Sequence, residues 1–371
     1  MRGVKDEIFF SFFFRRDCYY FSPLYLIYGG YLMVQYWDIN KILPYQRNFN
    51  FINGERSIGK TYTTLKFVIK RCIDRKEEFV YIVRTQDEKE KGVLEKAVEK
   101  VINNEFKENE FYHTVDEMYV KEKDYKRLIG RCIALSEALK IKKRSFPLVK
   151  YLIFDEYMLE SKSLTRYVSG WKEPELFLSI YHTIDREEDR VVCFLLGNTT
   201  TFYNPYHLHP AFHIPQIKKG EIWTSENVLF QWAESSATLA NKKEKCKFLR
   251  MIQGSDYGTY ANDGEYIEDG VEFIEERSQT ARHIFNIQYM GKIYGIWNDM
   301  ENGKIYVDNK YAKCHLNYAL TLNDHNENTL LTKSKNNTLL NWLSKNFKIG
   351  NVRFTSMEVK KLAEPAILLL L

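Results

Sequence analysis

The sequence lacks paired cysteines and long apolar runs. Its six cysteines lie far apart without a C-x-x-C pair, which argues against a zinc site or a disulfide framework and fits a reducing cytosol. Internal repeats and low-complexity tracts are also missing, which excludes repeat architectures. The net charge of +5 permits a basic patch but does not by itself indicate nucleic-acid binding. The length of 371 residues is enough for two ordinary domains.

Both ends of the chain differ in composition from the rest. Residues 8–14 are nearly all Phe, but charged residues follow them, and the next uncharged run is short and rich in Tyr. A membrane helix needs about 20 mainly apolar residues, and a signal peptide needs a basic start. We therefore expect the working chain to begin at Met33 and residues 1–32 to be an extension, a membrane anchor being the less favoured alternative. Residues 363–371 are typical of an apolar tail that packs on a partner, or of an altered terminus.

A phosphate-binding loop organises the first half of the chain. The stretch 54–61, GERSIGKT, matches G-x-x-x-x-G-K-[ST] at every fixed position. The alternating run 48–53 predicts a buried strand before it, and 62–75 predicts an amphipathic helix after it. We expect Lys60 to neutralise the β- and γ-phosphates of ATP and the Thr61 hydroxyl to hold Mg²⁺. The predicted nucleotide-binding residues are Gly54, Glu55, Arg56, Ser57, Ile58, Gly59, Lys60 and Thr61.

Polar residues at the ends of predicted strands supply the rest of an ATPase site. The apolar strand 149–154 ends in Asp155 and Glu156. We expect Asp155 to bind the Mg²⁺ shell and Glu156 to polarise the attacking water as general base, the alternative being a strand that ends in acids by chance. Asn198, after the next buried strand, is the candidate for sensing the γ-phosphate.

Two further residues are predicted to bind the nucleotide. Arg84 follows the buried run 79–83 and therefore lies at the edge of an open α/β sheet where ligands bind. Tyr45 precedes the first strand. It is either an aromatic contact to adenine or part of an ordinary connecting loop.

Two groups of basic residues are candidates for acting on another molecule. The densest basic cluster contains Lys142, Lys143 and Arg144, which contact the phosphates of DNA or of a neighbouring subunit's nucleotide, or belong to a solvated loop. Arg186 and Arg190 precede the strand that leads to Asn198. A ring ATPase needs an arginine supplied in trans, with an effect of roughly a thousandfold or more, although such residues are usually exposed charges without a role.

The pattern changes after about residue 225. We predict an ATPase domain over 33–225, a linker over 226–246 with a helix over 226–240, and a mostly β domain over 247–362. Four carboxylates of that last part either form a two-metal nuclease site or are solvated turn residues, and the second interpretation is favoured. They are Asp256, Asp263, Asp299 and Asp308.

Taken together, these motifs resemble those of the DNA encapsidation ATPases of small podoviruses, of the Picovirinae type. The resemblance is carried in the first domain by the phosphate loop with Arg56 inside it, and by 153–157, 197–198 and 204–206. It runs in order from about Met33 to near Leu362. In the second domain it is carried by 254–258, 273–278, 295–297 and 322–328.

This resemblance implies an α/β P-loop NTPase of the additional-strand (ASCE) type with a mostly parallel sheet, followed by a smaller α+β, ribonuclease H-like domain that has lost its metal-binding acids. It also implies a terminase-like motor without nuclease activity or membrane attachment. Such proteins form a homopentameric ring at the portal, or connector, of a procapsid in the host cytoplasm. They are not expected in the mature virion. They use ATP and Mg²⁺ to drive double-stranded DNA inward, in some members with a packaging RNA.

The resemblance also implies roles for individual residues. By motif, Asp155 and Glu156 are the metal and catalytic carboxylates, Arg186 is the trans-acting finger, and Lys142 is a second basic residue acting in trans. Glu55 departs from the family pattern, which often has a small residue there, and we expect its side chain to face solvent or a neighbouring subunit. Another DNA-dependent P-loop ATPase, such as a helicase or translocase, is the alternative function.

Overall fold

The computed structural model describes residues 35–159, 167–266, 271–314, 316–331 and 336–371. The predicted extension 1–32 and the predicted start at Met33 lie outside the described residues, as does the side chain of Asp256. Within the described part, the helices are all too short or too polar to cross a lipid bilayer.

A nine-stranded sheet forms the centre of the first domain. Its strands are β1 Phe49–Gly54, β2 Glu78–Val83, β3 Phe111–His113, β4 Glu117–Glu122, β5 Tyr125–Ala134, β6 Val149–Asp155, β7 Val192–Asn198, β8 Ile222–Thr224 and β9 Val228–Ala233. The helices of this domain and of the segment after it are α1 Lys60–Arg75, α2 Gln86–Glu90, α3 Val93–Glu105, α4 Glu173–Asp185, α5 Ala237–Glu244, α6 Lys247–Met251 and α7 Asp256–Gly258.

The strand order confirms the predicted fold class. It is β3-β4-β5-β2-β6-β7-β1-β9-β8, and the six strands from β5 to β9 run parallel. Strand β7 separates the phosphate-loop strand β1 from the carboxylate strand β6, which is the additional strand of the ASCE type. The carboxyl ends of these three strands therefore meet at one edge, where open α/β sheets bind ligands.

Apolar residues cover both faces of this sheet. Helix α1 packs on one face through Leu65, Val68 and Ile69, while α4 packs on the other through Phe177 and Ile180. Such two-sided burial explains why β2 and β7 are continuous apolar runs rather than alternating ones. The sequence therefore predicted them well.

The predicted helix over 226–240 is wrong in its first half. Residues Val228–Ala233 form β9, which pairs with β1 and is buried along its whole length. Only Ala237–Glu244 is helical. A short apolar run fits a buried strand as well as a buried helix, and here pairing with the phosphate-loop strand decides in favour of the strand.

A six-stranded sheet forms the second domain. Its elements are β10 Arg282–Tyr289, β11 Lys292–Asp299, β12 Lys304–Asp308, β13 Asn317–Ala319, β14 Leu330–Leu331, β15 Val352–Phe354, α8 Thr338–Lys348 and α9 Met357–Leu368. The strand order is β14-β13-β10-β11-β12-β15, with an antiparallel β10–β11–β12 meander and parallel neighbours on both sides. This mixed sheet with two helices agrees with the expected ribonuclease H-like α+β unit.

The interpretation of 363–371 as a separate apolar tail is wrong. Its first part belongs to α9, and Ala363, Ala366 and Ile367 are buried against the second sheet. Leu370 is buried there too. The apolar residues therefore complete the core of their own domain, although Leu368, Leu369 and Leu371 stay exposed.

Candidate nucleotide-binding and catalytic site

The phosphate loop joins β1 to α1 at the carboxyl edge of the first sheet. Ser57 and Gly59 adopt left-handed backbone conformations, with φ of 62° and 94°, which curl the loop over the start of α1. Lys60 is buried, and its Nζ donates to the carbonyl oxygens of Gly54 at 2.9 Å and Glu55 at 2.8 Å. The loop thus holds its lysine in place, with the backbone N–H groups and the helix N-terminus available for an anion.

The predicted carboxylates meet the loop directly. The hydroxyl of Thr61 donates to Asp155 Oδ2 at 2.9 Å, and the backbone N–H of Glu156 donates to Asp155 Oδ1 at 3.1 Å. The side chain of Glu156 is exposed. Four predicted residues, Lys60, Thr61, Asp155 and Glu156, therefore lie together at one sheet edge.

Burial shifts the pKa values of both charged groups at the centre of the site. Desolvation lowers the pKa of Lys60 to about 7, against the opposing effect of Asp155. Desolvation also raises the pKa of Asp155 to about 6, and the Glu156 carboxylate adds to the rise. The Lys60 ammonium therefore lacks enough nearby negative charge to offset its burial, and the Asp155 carboxylate lacks enough nearby positive charge. A polyphosphate would supply the first and a cation the second. The hydroxyl of Thr61 and the carboxylate of Asp155 are hard oxygen donors, the kind that Mg²⁺ prefers.

Arg84, which was predicted to bind the nucleotide, is held by protein groups. Its guanidinium is buried and donates to the carbonyl oxygens of Glu156, at 2.7 Å, and of Tyr157. It also pairs with buried Glu173 at 3.3 Å. Because Glu156 has a left-handed backbone with φ of 56°, an unusual conformation for glutamate, Arg84 holds a strained segment in position.

Replacing Arg84 by Lys is therefore expected to lower kcat more than it changes KM for ATP. A lysine keeps the positive charge, but it lacks the planar guanidinium that allows Arg84 to contact two carbonyl oxygens and a carboxylate at once. We expect kcat to fall about tenfold or more while KM changes less than about twofold, because a misplaced catalytic group affects the chemical step. Steady-state ATP hydrolysis by the full chain measures both. An unchanged kcat would show that the Glu156 segment keeps its geometry without Arg84.

Glu55 faces neither solvent nor an open surface, contrary to expectation. Its side chain is 4% exposed. It accepts from Ser235, pairs with Lys243 at 2.6 Å and lies 3.2 Å from Lys219 Nζ. Burial alone would raise the pKa of Glu55, but the hydrogen bonds from Lys243 and Ser235 and the charges of both lysines lower it.

The segment after α7 closes over Glu55. The backbone N–H of Arg56 donates to the carbonyl of Ala261 at 3.2 Å. Gly264, with φ of 64°, lies so close that a Cβ there would be 2.2 Å from Glu55 Cγ. Glu55, which departs from the family pattern, thus connects the phosphate loop to the part of the chain that follows the first sheet.

Glu55→Gln is expected to lower the free energy of unfolding at pH 7 by about 1–3 kcal/mol, because it leaves Lys243 without its carboxylate and Lys219 with only the more distant Glu265, at 3.9 Å. The lowered pKa gives the sign of the pH dependence. The stabilisation is present above the unfolded pKa of about 4.3 and disappears as the pH falls through the folded value. Urea unfolding at pH 7 and at acidic pH, with exposed Glu99→Gln as control, measures the difference. Equal losses for the two variants at pH 7 would contradict this role.

Asn198 reaches the site, whereas Tyr45 does not. The Asn198 Oδ1 lies 3.5 Å from Lys60 Nζ, at the end of β7. Tyr45 follows Leu43, which lines a cavity together with Arg71 and Arg75 near the far end of α1. An aromatic residue that does lie beside the loop is Tyr36, whose Cβ lies 3.1 Å from the Cβ position of Gly59. Tyr36 was missed, although the Tyr36–Trp37 pair before the first strand was a usable signal.

The trans-acting candidates divide into two kinds. Arg186 is exposed at the end of α4, and its Nη2 donates to the Arg144 carbonyl at 3.3 Å. The side chains of Lys142, Lys143 and Arg144 are exposed nearby, so these residues form one basic patch. Arg190 is different and does not fit the prediction. Its guanidinium donates to the carbonyls of Phe146, Val149 and Ile184 and supports the loop before β7.

Of the four acids, the three whose side chains the structure describes, Asp263, Asp299 and Asp308, do not converge. Asp308 pairs with Arg277 at 3.1 Å and lies opposite Gly295 in the sheet, four residues along β11 from Asp299. Asp263 lies near the phosphate loop, where its carbonyl accepts from Lys219. Over the described residues, no group of three or more His, Cys, Asp or Glu could hold a metal ion.

Comparison with known proteins gives one consistent result. Residues 33–367 match the family described as podovirus DNA encapsidation protein (Gp16). The chain is 32% identical over 333 residues to the DNA packaging protein of Bacillus phage PZA, covering 88% of this chain and 96% of that one. It is 30% identical over 317 residues to the DNA packaging protein of Bacillus phage B103, covering 84% and 94%.

Solved structures agree with this match. A chain of the bacteriophage Phi-29 viral genome packaging motor assembly superposes with a TM-score of 0.71 at 29% identity, covering 91% of this chain and 100% of that one. A chain of the Phi-28 gp11 DNA packaging motor superposes with a TM-score of 0.62 over 91% of this chain and 97% of that one. At 18% identity, the second match supports the fold alone.

Proposed function

This chain belongs to the podovirus DNA encapsidation protein family, and from this premise we infer that it is the ATPase subunit of a motor that moves double-stranded viral DNA into a procapsid. One observation in the site carries the inference. Thr61 of the phosphate loop donates to Asp155 at 2.9 Å, and Glu156 follows Asp155 at the same sheet edge. Binding and hydrolytic groups are thus assembled for ATP.

The binding side of the site accounts for the nucleotide and its cation. On ATP binding, Lys60 exchanges the carbonyls of Gly54 and Glu55 for phosphate oxygens, and the anion restores the charge of the buried ammonium. Thr61 and Asp155 would hold Mg²⁺, which when bound neutralises charge that develops on the phosphate oxygens. We further propose that Tyr36, rather than Tyr45, packs against the adenine base, because it lies beside the loop.

The hydrolytic side rests on a carboxylate and an amide. Glu156 is exposed towards the carboxyl edge and accepts a proton from the attacking water, so that the hydroxide oxygen bonds to the γ-phosphorus as the bond to the β-phosphate oxygen breaks. We propose that Asn198, next to Lys60, donates to the γ-phosphate through its side-chain amide. Arg84 keeps the Glu156 backbone in its strained conformation throughout.

The position of Arg186 favours a ring of subunits. It lies before the amino end of β7, whereas Asn198 and the phosphate loop lie at the carboxyl end, about 20 Å away across a seven-residue strand. An arginine so placed cannot reach its own γ-phosphate. We propose that the patch of Lys142, Lys143, Arg144 and Arg186 faces a neighbouring subunit's nucleotide, in a ring that is a pentamer by resemblance to the family.

The second domain is proposed to lack nuclease activity. Asp299 accepts from the backbone of Glu301 and Asn302, and Asp308 pairs with Arg277, so both carboxylates have structural partners. We propose that the domain instead attaches the motor to its partners. These are the portal and, in members that use one, a packaging RNA.

The proposed function is tested by ATP hydrolysis with and without double-stranded DNA. We expect the full chain to hydrolyse ATP in the presence of Mg²⁺ and double-stranded DNA to raise the rate. A strand-separating helicase would instead respond most strongly to single strands or forked ends, so matched blunt duplex and forked DNA are compared. A rate that is unaffected by every DNA would contradict the motor.

A further inference from the structure

The cavity that Leu43, Arg71 and Arg75 line lies at the sheet edge opposite the phosphate loop. It has a volume of about 420 Å³ and is lined by residues before β1, on α1 and at the starts of β6 and β7. Arg71 and Arg75 of α1 lie roughly 16 and 22 Å along the helix axis from Lys60, at 1.5 Å per residue. The cavity is therefore separate from the ATP site.

Three arginines line this cavity without a matching number of acids. Within the described part of the chain, Arg47, Arg71 and Arg75 form no ion pair, and one carboxylate, Asp189, lies among the lining residues. Asp189 offsets one of these charges, and Glu77, whose charge acts on Tyr151 of the cavity wall, offsets a second, which leaves one positive charge in excess. The Nε of Arg47 is hidden from solvent and has no hydrogen-bond partner among the described residues. The negative end of the α1 dipole stabilises the charge of Arg75, which is the last residue of that helix, but not the charge of Arg47, which lies before β1.

The walls of the cavity combine these charges with aromatic rings. Tyr151 is partly exposed and lies nearly parallel to buried Phe194, with centroids 6.5 Å apart and an interplanar angle of 18°, so Tyr151 is the ring of this pair that a ligand can reach. Arg71 lies over the ring of Phe67, 5.3 Å from its centroid. Arginine forks bind phosphate oxygens in pairs, and aromatic faces stack on nucleobases. A phosphate monoester carries about −1.5 to −2 charges at pH 7, opposite in sign to the excess charge of the cavity.

We propose that this cavity binds one nucleotide, with its phosphate on Arg47 and Arg71 and its base against the aromatic wall. The nucleotide is either free or part of a nucleic-acid strand, since both present the same chemistry. This site does not depend on the proposed ATPase function.

The test uses the full chain carrying Lys60→Ala, so that the phosphate loop does not hold the probe. Calorimetry measures the binding of AMP and, separately, of 5′-phosphorylated hexathymidylate. Arg47→Gln and Arg71→Gln are each compared with Lys70→Gln. Lys70 is the matched control because it is an exposed cation on α1, paired with Asp74 at 3.0 Å and outside the cavity lining.

Each arginine variant is expected to weaken binding about tenfold, and Lys70→Gln less than about twofold, because a charge-assisted hydrogen bond to phosphate is lost in the first case only. Binding of AMP alone assigns the cavity to free nucleotide, and binding of the oligonucleotide assigns it to a strand. No saturable binding of either probe, or equal effects of the arginine and lysine variants, would overturn the proposal. If one arginine variant does not fold, the other decides.

Discussion

Glu156→Gln is expected to lower the rate of ATP hydrolysis by roughly 10²–10⁴-fold, the usual contribution of a general base. Glutamine has the same shape and keeps the backbone that Arg84 holds, but it cannot accept the proton of the attacking water. ATP affinity should change little, because Lys60, Thr61 and Asp155 remain. Single-turnover hydrolysis and nucleotide binding by the full chain separate the two effects.

The control for this variant is Glu99→Gln, on the exposed face of α3, which removes the same charge far from the site. We expect that control to hydrolyse ATP at the natural rate. Hydrolysis by Glu156→Gln within a few fold of the natural rate would remove Glu156 from the role of general base. A large loss of ATP affinity would instead make it a binding residue.

Arg186→Ala is expected to reduce turnover about a thousandfold while leaving nucleotide affinity nearly unchanged, as for other trans-acting arginines. The physical reason is the position of Arg186 at the amino edge of the sheet, away from its own phosphate loop. Exposed Arg282→Ala in the second domain is the matched control. The measurements are kcat and the Kd for a non-hydrolysable ATP analogue.

Mixing subunits tests the trans geometry. Arg186→Ala subunits retain a complete phosphate loop, and Lys60→Ala subunits retain the arginine. Where a Lys60→Ala subunit supplies Arg186 to its neighbour, the mixture should hydrolyse more ATP than either variant alone. No recovery in the mixture, together with a Kd effect in Arg186→Ala, would place this arginine in its own subunit's site.

Local pattern was enough to predict the centre of the site. The loop, its strand and its helix form a contiguous segment, so the predicted limits lie within two residues of the observed β1 and α1. The position of Asp155 and Glu156 followed from a single buried strand that is apolar on both faces. Parallel strands bring their carboxyl ends together, which placed these residues and Asn198 at one edge.

Long-range contacts account for what sequence could not predict. Glu55 is separated by 180 residues from Ser235 and by 188 from Lys243, so the residues around Glu55 in the sequence do not indicate these partners. Arg84 was correctly placed at a strand end, but its orientation depends on buried Glu173, which is distant in sequence. Arg190 was a candidate for acting on a neighbouring subunit, because a charged run along the chain gives no indication of the carbonyl groups that one of its arginines will meet.

The most direct test of the central claim is DNA uptake by procapsids. The full chain, ATP, Mg²⁺, cognate procapsids and the viral genome are mixed, nuclease is added, and the protected DNA is measured by length. We predict full-length protected DNA with the natural chain and none with Glu156→Gln or without ATP. ATP hydrolysis without any protected DNA, or protection that persists with Glu156→Gln, would contradict a motor driven by this site.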